Sequence, residues 1–152
     1  MNVGTIFGFV NLFWVGILAG EEFVICYGVR APLASLDNRA HIQLRQALIR
    51  NLRILVPIVF AATLLSGLVA TILKGFDPAF GFRCAGLLTL VTFITITLKG
   101  TVPINQAALT WDPTAPPSNW QRLVHRWEQL DTLRSWAAII AFILFLTAIA
   151  FQ

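Results

Sequence analysis

Charged residues are scarce in this sequence, at 12% of the chain against 57% for hydrophobic residues. An average soluble domain carries about twice that share of charge, so the composition excludes an ordinary soluble protein. A chain of 152 residues also leaves room for only one domain. The few Lys and Arg residues lie between apolar runs and form no solvated basic stripe. We therefore expect no nucleic-acid partner, despite a net charge of +4.

Cysteine and histidine are also rare, with two of each. Cys26 and Cys84 match no metal-ligand spacing and no disulfide framework. Two histidines leave little room for a haem held by a histidine pair, and His125 projects toward solvent on its predicted helix. The sequence therefore requires no cofactor. A haem or a metal held by His41, at the edge of an apolar helix face, is the alternative that stays open.

Four apolar runs dominate what is present, and each is close to the roughly 20 residues that cross a bilayer core. They cover residues 3–28, 54–73, 82–99 and 135–151. We predict an all-α fold, with residues 1–152 forming a single four-transmembrane-helix bundle. Pro32 should stop the first helix, and Pro103 should break or bend the third. The N-terminus lacks the basic region of a signal peptide, so we expect the first run to be retained as a span.

The stretches before the second and fourth runs are more polar and contain no helix breaker. In the stretch before the second run, Leu44 and Leu48 fall on an apolar face and Gln46 and Arg50 on a polar one. We therefore expect helices two and four to extend into the cytoplasm.

Positive charge is distributed unevenly between the two ends of this bundle. Residues 30–53 and 99–134 carry nine Lys and Arg between them, whereas residues 74–83 carry two and the termini none. Because positive flanks stay inside, both termini should lie outside and the two longer connections in the cytoplasm.

Glu21 and Glu22 lie near one end of the first apolar run, where a charge is costly unless it faces the bundle or a partner. Glu22 shares a helix face with Asn11 and Leu18, so it is the member of the pair that should point inward. The pair could accept a proton or anchor a substrate. Alternatively, it lies at the headgroup level and pairs with Arg30 or a neighbouring arginine.

The last helix places two opposite charges on one apolar face. Asp131 and Arg134 share this face with Trp120 and Trp127, which predicts a buried, hydrogen-bonded pair. The pair could be a structural clamp between helix ends, or Arg134 could stabilise an anion or enolate beneath a pocket. Trp127 belongs either to an interfacial aromatic belt or to the wall of a pocket for a flat lipophilic ligand.

Three segments together resemble a known family. They are the Gly16-Ile17-Leu18-Ala19-Gly20 run, the Val102-Pro103-Ile104-Asn105 segment, and Trp127 seven positions before Arg134. The pattern resembles the anthrone oxygenase-like integral membrane family, most of whose members are bacterial proteins of unassigned function. The resemblance covers nearly the whole chain and implies a four-span bundle in the bacterial inner membrane.

The resemblance also implies a chemistry, the cofactor-independent oxidation of an anthrone to an anthraquinone by O₂. In that chemistry Glu22 would act as base and Asn105 and Arg134 would hold the enolate. Trp127 would stack on the substrate. Apart from the resemblance, Asp131 and Glu21 are also candidates for substrate binding.

Two functions follow from these residues. The first is an oxidoreductase or oxygenase that acts on a lipophilic aromatic molecule, anthrone- or quinone-like, in a pocket near the cytoplasmic face. The second is a non-enzymatic membrane subunit or a protein that binds a small ligand or haem. An open cavity lined by the polar residues favours the first function, and a closed, mutually paired cluster favours the second. The expected partners are membrane lipids and a lipophilic small molecule; a homo-oligomer or a larger complex stays open.

Overall fold

Four helices make up nearly all of the computed structural model, which describes residues 2–151. They are α1 (Val3–Ala34), α2 (Asn38–Lys74), α3 (Phe80–Ala108) and α4 (Trp120–Ala150). Each helix is long and apolar enough to cross a membrane, and residues 2–151 contain no β-strand. The predicted all-α, four-helix membrane bundle is confirmed, and the chain is an integral membrane protein.

The helices run up and down in sequence, so the bundle has two distinct ends. α1 packs against α2 and α4, and α3 packs against α4 and α2. At the terminal end, which holds the start of α1, the end of α4 and the α2–α3 loop, the Lys74 Nζ donates to Thr5 Oγ1 at 2.8 Å. Phe82 and Phe151 stack there with ring centroids 5.6 Å apart. The α1–α2 and α3–α4 connections lie at the opposite end, which we call the cavity end.

An ion pair orders the short loop at the terminal end. The Arg83 guanidinium contacts Asp77 Oδ1 at 2.6 Å and donates to the Gly75 carbonyl at 3.0 Å. The hydrogen bond from Arg83 holds the pKa of Asp77 below its usual value.

Most of the core is apolar and lies between the four helices. Leu18, Leu90 and Phe93 are fully buried, and Phe93 stacks on Phe60 at 5.5 Å. α3 and α4 approach closely at Gly86, where an added Cβ would lie 2.9 Å from Phe145 Cε2. Small residues at helix contacts are typical of membrane bundles, in which close packing replaces the hydrophobic effect as the source of association.

α2 and α4 are longer than a bilayer requires. At 37 and 31 residues they measure about 55 Å and about 46 Å, against a hydrocarbon core of about 30 Å. Asp37 caps the start of α2 by accepting a hydrogen bond from the Ala40 N–H at 3.0 Å. Gln46 Nε2 donates to the carbonyls of Ala108 and Trp111, both at 2.9 Å, and so ties α2 to the end of α3.

Two helices contain a π-helical segment where the sequence predicts an end or a break. α1 passes through a π-helical segment at Val24–Val29 and continues beyond Pro32, and α3 does the same at Thr97–Thr101 before Pro103. A π turn holds one extra residue and leaves a carbonyl without its usual N–H partner. A proline just beyond it therefore removes no bond that the helix would otherwise make.

Candidate functional site

A cavity of about 350 Å³ lies between the four helices at the cavity end. This volume is within the range of small-molecule pockets, which runs from about 300 to 1,000 Å³. Its apolar lining residues are Ile25, Val29, Leu33, Leu48, Ile49, Leu52, Val56, Pro57, Val102 and Leu109. Its polar or amphipathic lining residues are Arg30, Arg45, Arg53, Thr97, Thr101, Asn105, Gln106, Trp127 and Arg134.

Both π-helical segments contribute to the cavity wall. Ile25 and Val29 come from the segment in α1, and Thr97 and Thr101 from the segment in α3. Such segments widen a helix locally and occur frequently at functional sites. The cavity therefore lies where two of the four helices depart from regular α geometry.

Proline also shapes the wall contributed by α2. Pro57 lies inside that helix and lines the cavity. Because proline has no N–H, the carbonyl of Arg53, four residues earlier, lacks its helical donor.

The wall of the cavity is cationic. Among its lining residues are four arginines and no carboxylate. The carboxylates lie behind the wall, where Glu22 and Asp131 are both 0% exposed. Arg30 pairs with Asp131 and also donates to Thr132 Oγ1 at 2.8 Å.

Arg134 joins the two buried carboxylates. Its Nη2 donates to Asp131 Oδ1 at 2.9 Å, and its Nε donates to Glu22 Oε2 at 3.0 Å. Nη2 also lies 3.0 Å from Glu22 Oε1, an ion-pair distance without hydrogen-bond alignment, so this oxygen accepts no hydrogen bond. The Ser135 hydroxyl donates to the Glu22 backbone carbonyl at 3.2 Å. We call Glu22, Arg30, Asp131 and Arg134 the ion network; it fastens α1 to α4.

The structure brings together three of the residues singled out from the sequence. Asn105, Trp127 and Arg134 line the same cavity. Glu22 and Asp131 do not reach it, because both lie behind Arg134 in the ion network. Their burial confirms the predicted inward orientation of Glu22 and the predicted Asp131–Arg134 pair.

Glu21 does not line the cavity either. Both of its carboxylate oxygens are buried and have no hydrogen-bond partner in residues 2–151. Of the arginines considered as partners for the glutamates, Arg30 is the wrong one, since it pairs with Asp131, whereas Glu22 pairs with Arg134. The π-helical segment lies between Glu22 and Arg30 and rotates Arg30 away from the position that a regular α-helix would give it.

Four buried polar atoms of lining residues have no partner within the described chain; two are the Nε–H groups of Arg30 and Arg45, and the other two belong to uncharged side chains. The uncharged pair is Asn105 Oδ1 and the Trp127 Nε1–H. Buried polar atoms are nearly always hydrogen-bonded, so an unpaired acceptor and donor in a cavity wall are positions for a ligand.

Arg45 is the functional candidate that the sequence did not reveal. It is 4% exposed, and its guanidinium carbon lies 4.7 Å from the centroid of the Trp127 ring. The amphipathic pattern predicted for this part of α2 holds for Leu48, which lines the cavity, and for Arg50, which is exposed, but is wrong at two positions. Gln46 is buried and Leu44 is 43% exposed. Arg45 could have been found by its spacing from Ile42 and Ile49, which places all three on one helix face.

The histidines lie away from the cavity. His41 packs edge-to-face on Trp120 with ring centroids 5.3 Å apart. His125 is largely exposed, and its Nδ1 lies 3.5 Å from Glu128 Oε2. Within residues 2–151, no three His, Cys, Asp or Glu side chains are grouped so as to hold a metal ion. Cys26 and Cys84 are both free thiols.

Comparison with known proteins identifies the family. The family model for anthrone oxygenase matches residues 45–144, about two thirds of the chain. No curated protein and no solved structure gives a significant match. The matched range runs from Arg45 in α2 into the last turns of α4 and includes Asn105, Trp127 and Arg134. The chain therefore belongs to the anthrone oxygenase family.

Proposed function

We propose that the cavity binds an anthrone and that the protein oxidises it to the anthraquinone with O₂. The main support for this proposal is that Asn105, Trp127 and Arg134 all line the same cavity. Membership of the anthrone oxygenase family supports it. The cavity end would face the cytoplasm, and the membrane would be the inner membrane of a bacterium.

The walls suit a flat lipophilic molecule. Aliphatic side chains from α1, α2 and α3 bury the fused rings, and burial of apolar surface is the main source of affinity for such a ligand. The half-buried Trp127 offers an aromatic face, and its unpaired Nε1–H is a donor for a ring oxygen. Because Arg53 and Pro57 line the cavity and are exposed, the ligand enters beside them from the inner leaflet.

The reaction consumes one O₂ for each anthrone. The methylene carbon loses a proton, and the ring carbonyl becomes an enolate oxygen. The enolate carbon transfers its electrons to O₂ and forms a carbon–oxygen bond, which gives a hydroperoxide once a proton is added. Loss of water from the hydroperoxide leaves the second carbonyl, so anthrone and O₂ become anthraquinone and water.

The protein accelerates this sequence by stabilising the enolate. Arg134 uses Nε and Nη2 for the carboxylates and keeps Nη1 without a partner in the described chain. This Nη1 and the Asn105 amide donate to the enolate oxygen. Stabilisation of the anion lowers the pKa of the substrate methylene, as any nearby positive charge does.

Glu22 takes a positioning role in this proposal. It is fully buried, hydrogen-bonded to Arg134 and absent from the cavity wall, so it holds the guanidinium in place. Since no carboxylate lines the cavity, the methylene proton passes to water.

A second candidate is a non-enzymatic membrane subunit or ligand-binding protein. The ion network favours it, because all four of its members pair with one another and close the contact between α1 and α4. In that case the cavity binds a lipophilic molecule without transforming it.

Turnover of anthrone by the purified protein separates the two candidates. We expect anthraquinone formation and oxygen uptake in a one-to-one ratio, well above the rate in protein-free detergent. Asn105→Leu should lower the rate about 100-fold, the loss that removal of one oxyanion donor causes. Arg50→Gln, an exposed position outside the cavity, is the matched control and should keep the wild-type rate. Binding of anthrone without turnover would favour the second candidate.

A further inference from the structure

Arg45 is a buried cation that no anion of residues 2–151 contacts directly. Its side chain is 96% buried, and it forms no hydrogen bond or ion pair with any residue in 2–151. Its contact with the Trp127 ring at 4.7 Å is a cation–π interaction. That contact offsets only part of the cost of removing a guanidinium from water, so the site is incomplete as the chain forms it.

The charges of the other three arginines in the cavity wall are already compensated, by carboxylates or by solvent. Arg30 and Arg134 are neutralised by the ion network, and Arg53 is exposed at the rim. The two acidic residues of α4 that precede Arg134 act on the charge of Arg45 from a distance, but neither forms an ion pair or a hydrogen bond with it. Glu128 lies 3.5 Å from His125, and Asp131 pairs with Arg30 and Arg134. The charge of Arg45 is therefore left for something that enters the cavity.

We propose that Arg45 binds a carboxylate of the ligand, so that the substrate class is a lipophilic aromatic acid. This inference rests on the proposed function, in which Arg134 and Asn105 hold the reacting carbonyl. Arg45 lies on α2, and Asn105 and Arg134 lie on α3 and α4. The ligand therefore has two polar points, the carbonyl on one side and the acid on the other.

A carboxylate fits this position better than a phenol. Its ordinary pKa is near 4, so it enters ionised, whereas a phenol with a pKa near 10 enters neutral. A guanidinium also matches a carboxylate through two parallel hydrogen bonds. The Trp127 ring beneath the guanidinium keeps its plane in one orientation for that contact.

The test compares anthracene-2-carboxylic acid with anthracene-2-carboxamide, a neutral probe of the same shape. Their binding is measured by quenching of tryptophan fluorescence with the protein in phosphatidylcholine nanodiscs. We expect wild type to bind the acid at least about tenfold more tightly than the amide, the gain expected from a charged hydrogen bond. Arg45→Gln should lose that preference by weakening the acid alone. Arg50→Gln changes an exposed arginine five residues further along α2 and should keep the preference for the acid.

Equal affinities of wild type for acid and amide would overturn the proposal, whatever the stability of the variants. A loss of both probes in Arg45→Gln would overturn it as well, since a structural role would affect them equally. A lipid phosphate is the other source of an anion. If the acid preference vanished in nanodiscs containing phosphatidylglycerol, lipid would be the occupant and the proposal would fail.

This binding assay is independent of turnover. If the protein does not oxidise anthrone but prefers the acid in an Arg45-dependent way, the proposed activity is wrong and the proposed carboxylate site stands. If the protein oxidises anthrone but shows no preference for the acid, the proposed activity stands and the carboxylate site is wrong.

Discussion

Arg134 is the residue on which the ion network depends, because it is the one group that contacts both buried carboxylates. Its partners come from different helices, Glu22 from α1 and Asp131 from α4. Removing one member of a buried pair leaves a charge without compensation, which costs about 3–5 kcal/mol. The same guanidinium lines the cavity, so its two roles have to be separated by experiment.

Replacement of this arginine should destabilise the protein strongly. We expect Arg134→Met to lower the free energy of unfolding by about 3–5 kcal/mol, because Glu22 and part of Asp131 lose their partner. Adding Glu22→Gln should recover part of that loss, since it removes the stranded charge. The measurement is chemical unfolding in detergent, followed by circular dichroism. Arg122→Met, an exposed arginine of α4, serves as the control. Wild-type stability of Arg134→Met would rule out the clamp.

Some of these residues could be predicted from the sequence and others could not. Glu22, Asp131 and Arg134 stood out because charges on an otherwise apolar helix face require partners. Arg45 did not, because a helical wheel shows two faces without showing which one meets lipid. At the start of α2 the face of Ile42, Arg45 and Ile49 turns inward, whereas Leu44 and Arg50 are both exposed.

At the level of elements, the two π-helical segments decide where the cavity forms. Nothing in the composition of Val24–Val29 or Thr97–Thr101 distinguishes them from regular helix, since a π turn is set by packing against neighbouring helices. The sequence shows only the prolines that follow. Pro32 and Pro103 therefore suggest ends or breaks in helices that are in fact continuous.

The close contact between α3 and α4 should be sensitive to one methyl group. In Gly86→Ala the new Cβ would lie 2.9–3.1 Å from three ring atoms of Phe145, so the helices must separate. We expect a loss of about 1–3 kcal/mol in unfolding free energy, as for other overpacked cores. Gly81→Ala on the same helix has no heavy atom within 4 Å and should be neutral or slightly stabilising. Equal behaviour of the two variants in thermal unfolding would contradict the contact.

At the level of the whole molecule, the sequence determined the fold class well. Four apolar runs and their flanking charges suffice to predict a four-helix membrane bundle, because the bilayer allows few alternatives. The volume and position of the cavity depend on distances between helices, which no local pattern contains. The cytoplasmic location of the cavity end stays a prediction, based on nine Lys and Arg in the segments at that end against two at the other.

Site-specific labelling can check this orientation. In a background with Cys26→Ser and Cys84→Ser, Phe76→Cys places a thiol in the α2–α3 loop, where the side chain is 92% exposed. A membrane-impermeant maleimide should label it in intact cells. Thr114→Cys, exposed in the α3–α4 connection, should react only after permeabilisation. The opposite pattern would mean that the cavity opens to the outside.

The ion network also has a consequence for how the protein is made. Glu22 and Arg134 lie 112 positions apart, and a ribosome adds about 5–20 residues per second, so about 6–22 s separate their synthesis. During that interval α1 carries two carboxylates without the arginine of α4. The bundle therefore closes only after the last helix has been inserted. A nascent chain that stops before Arg134 lacks the group that fastens α1 in place, and the cell's quality-control proteases can distinguish it from the finished protein.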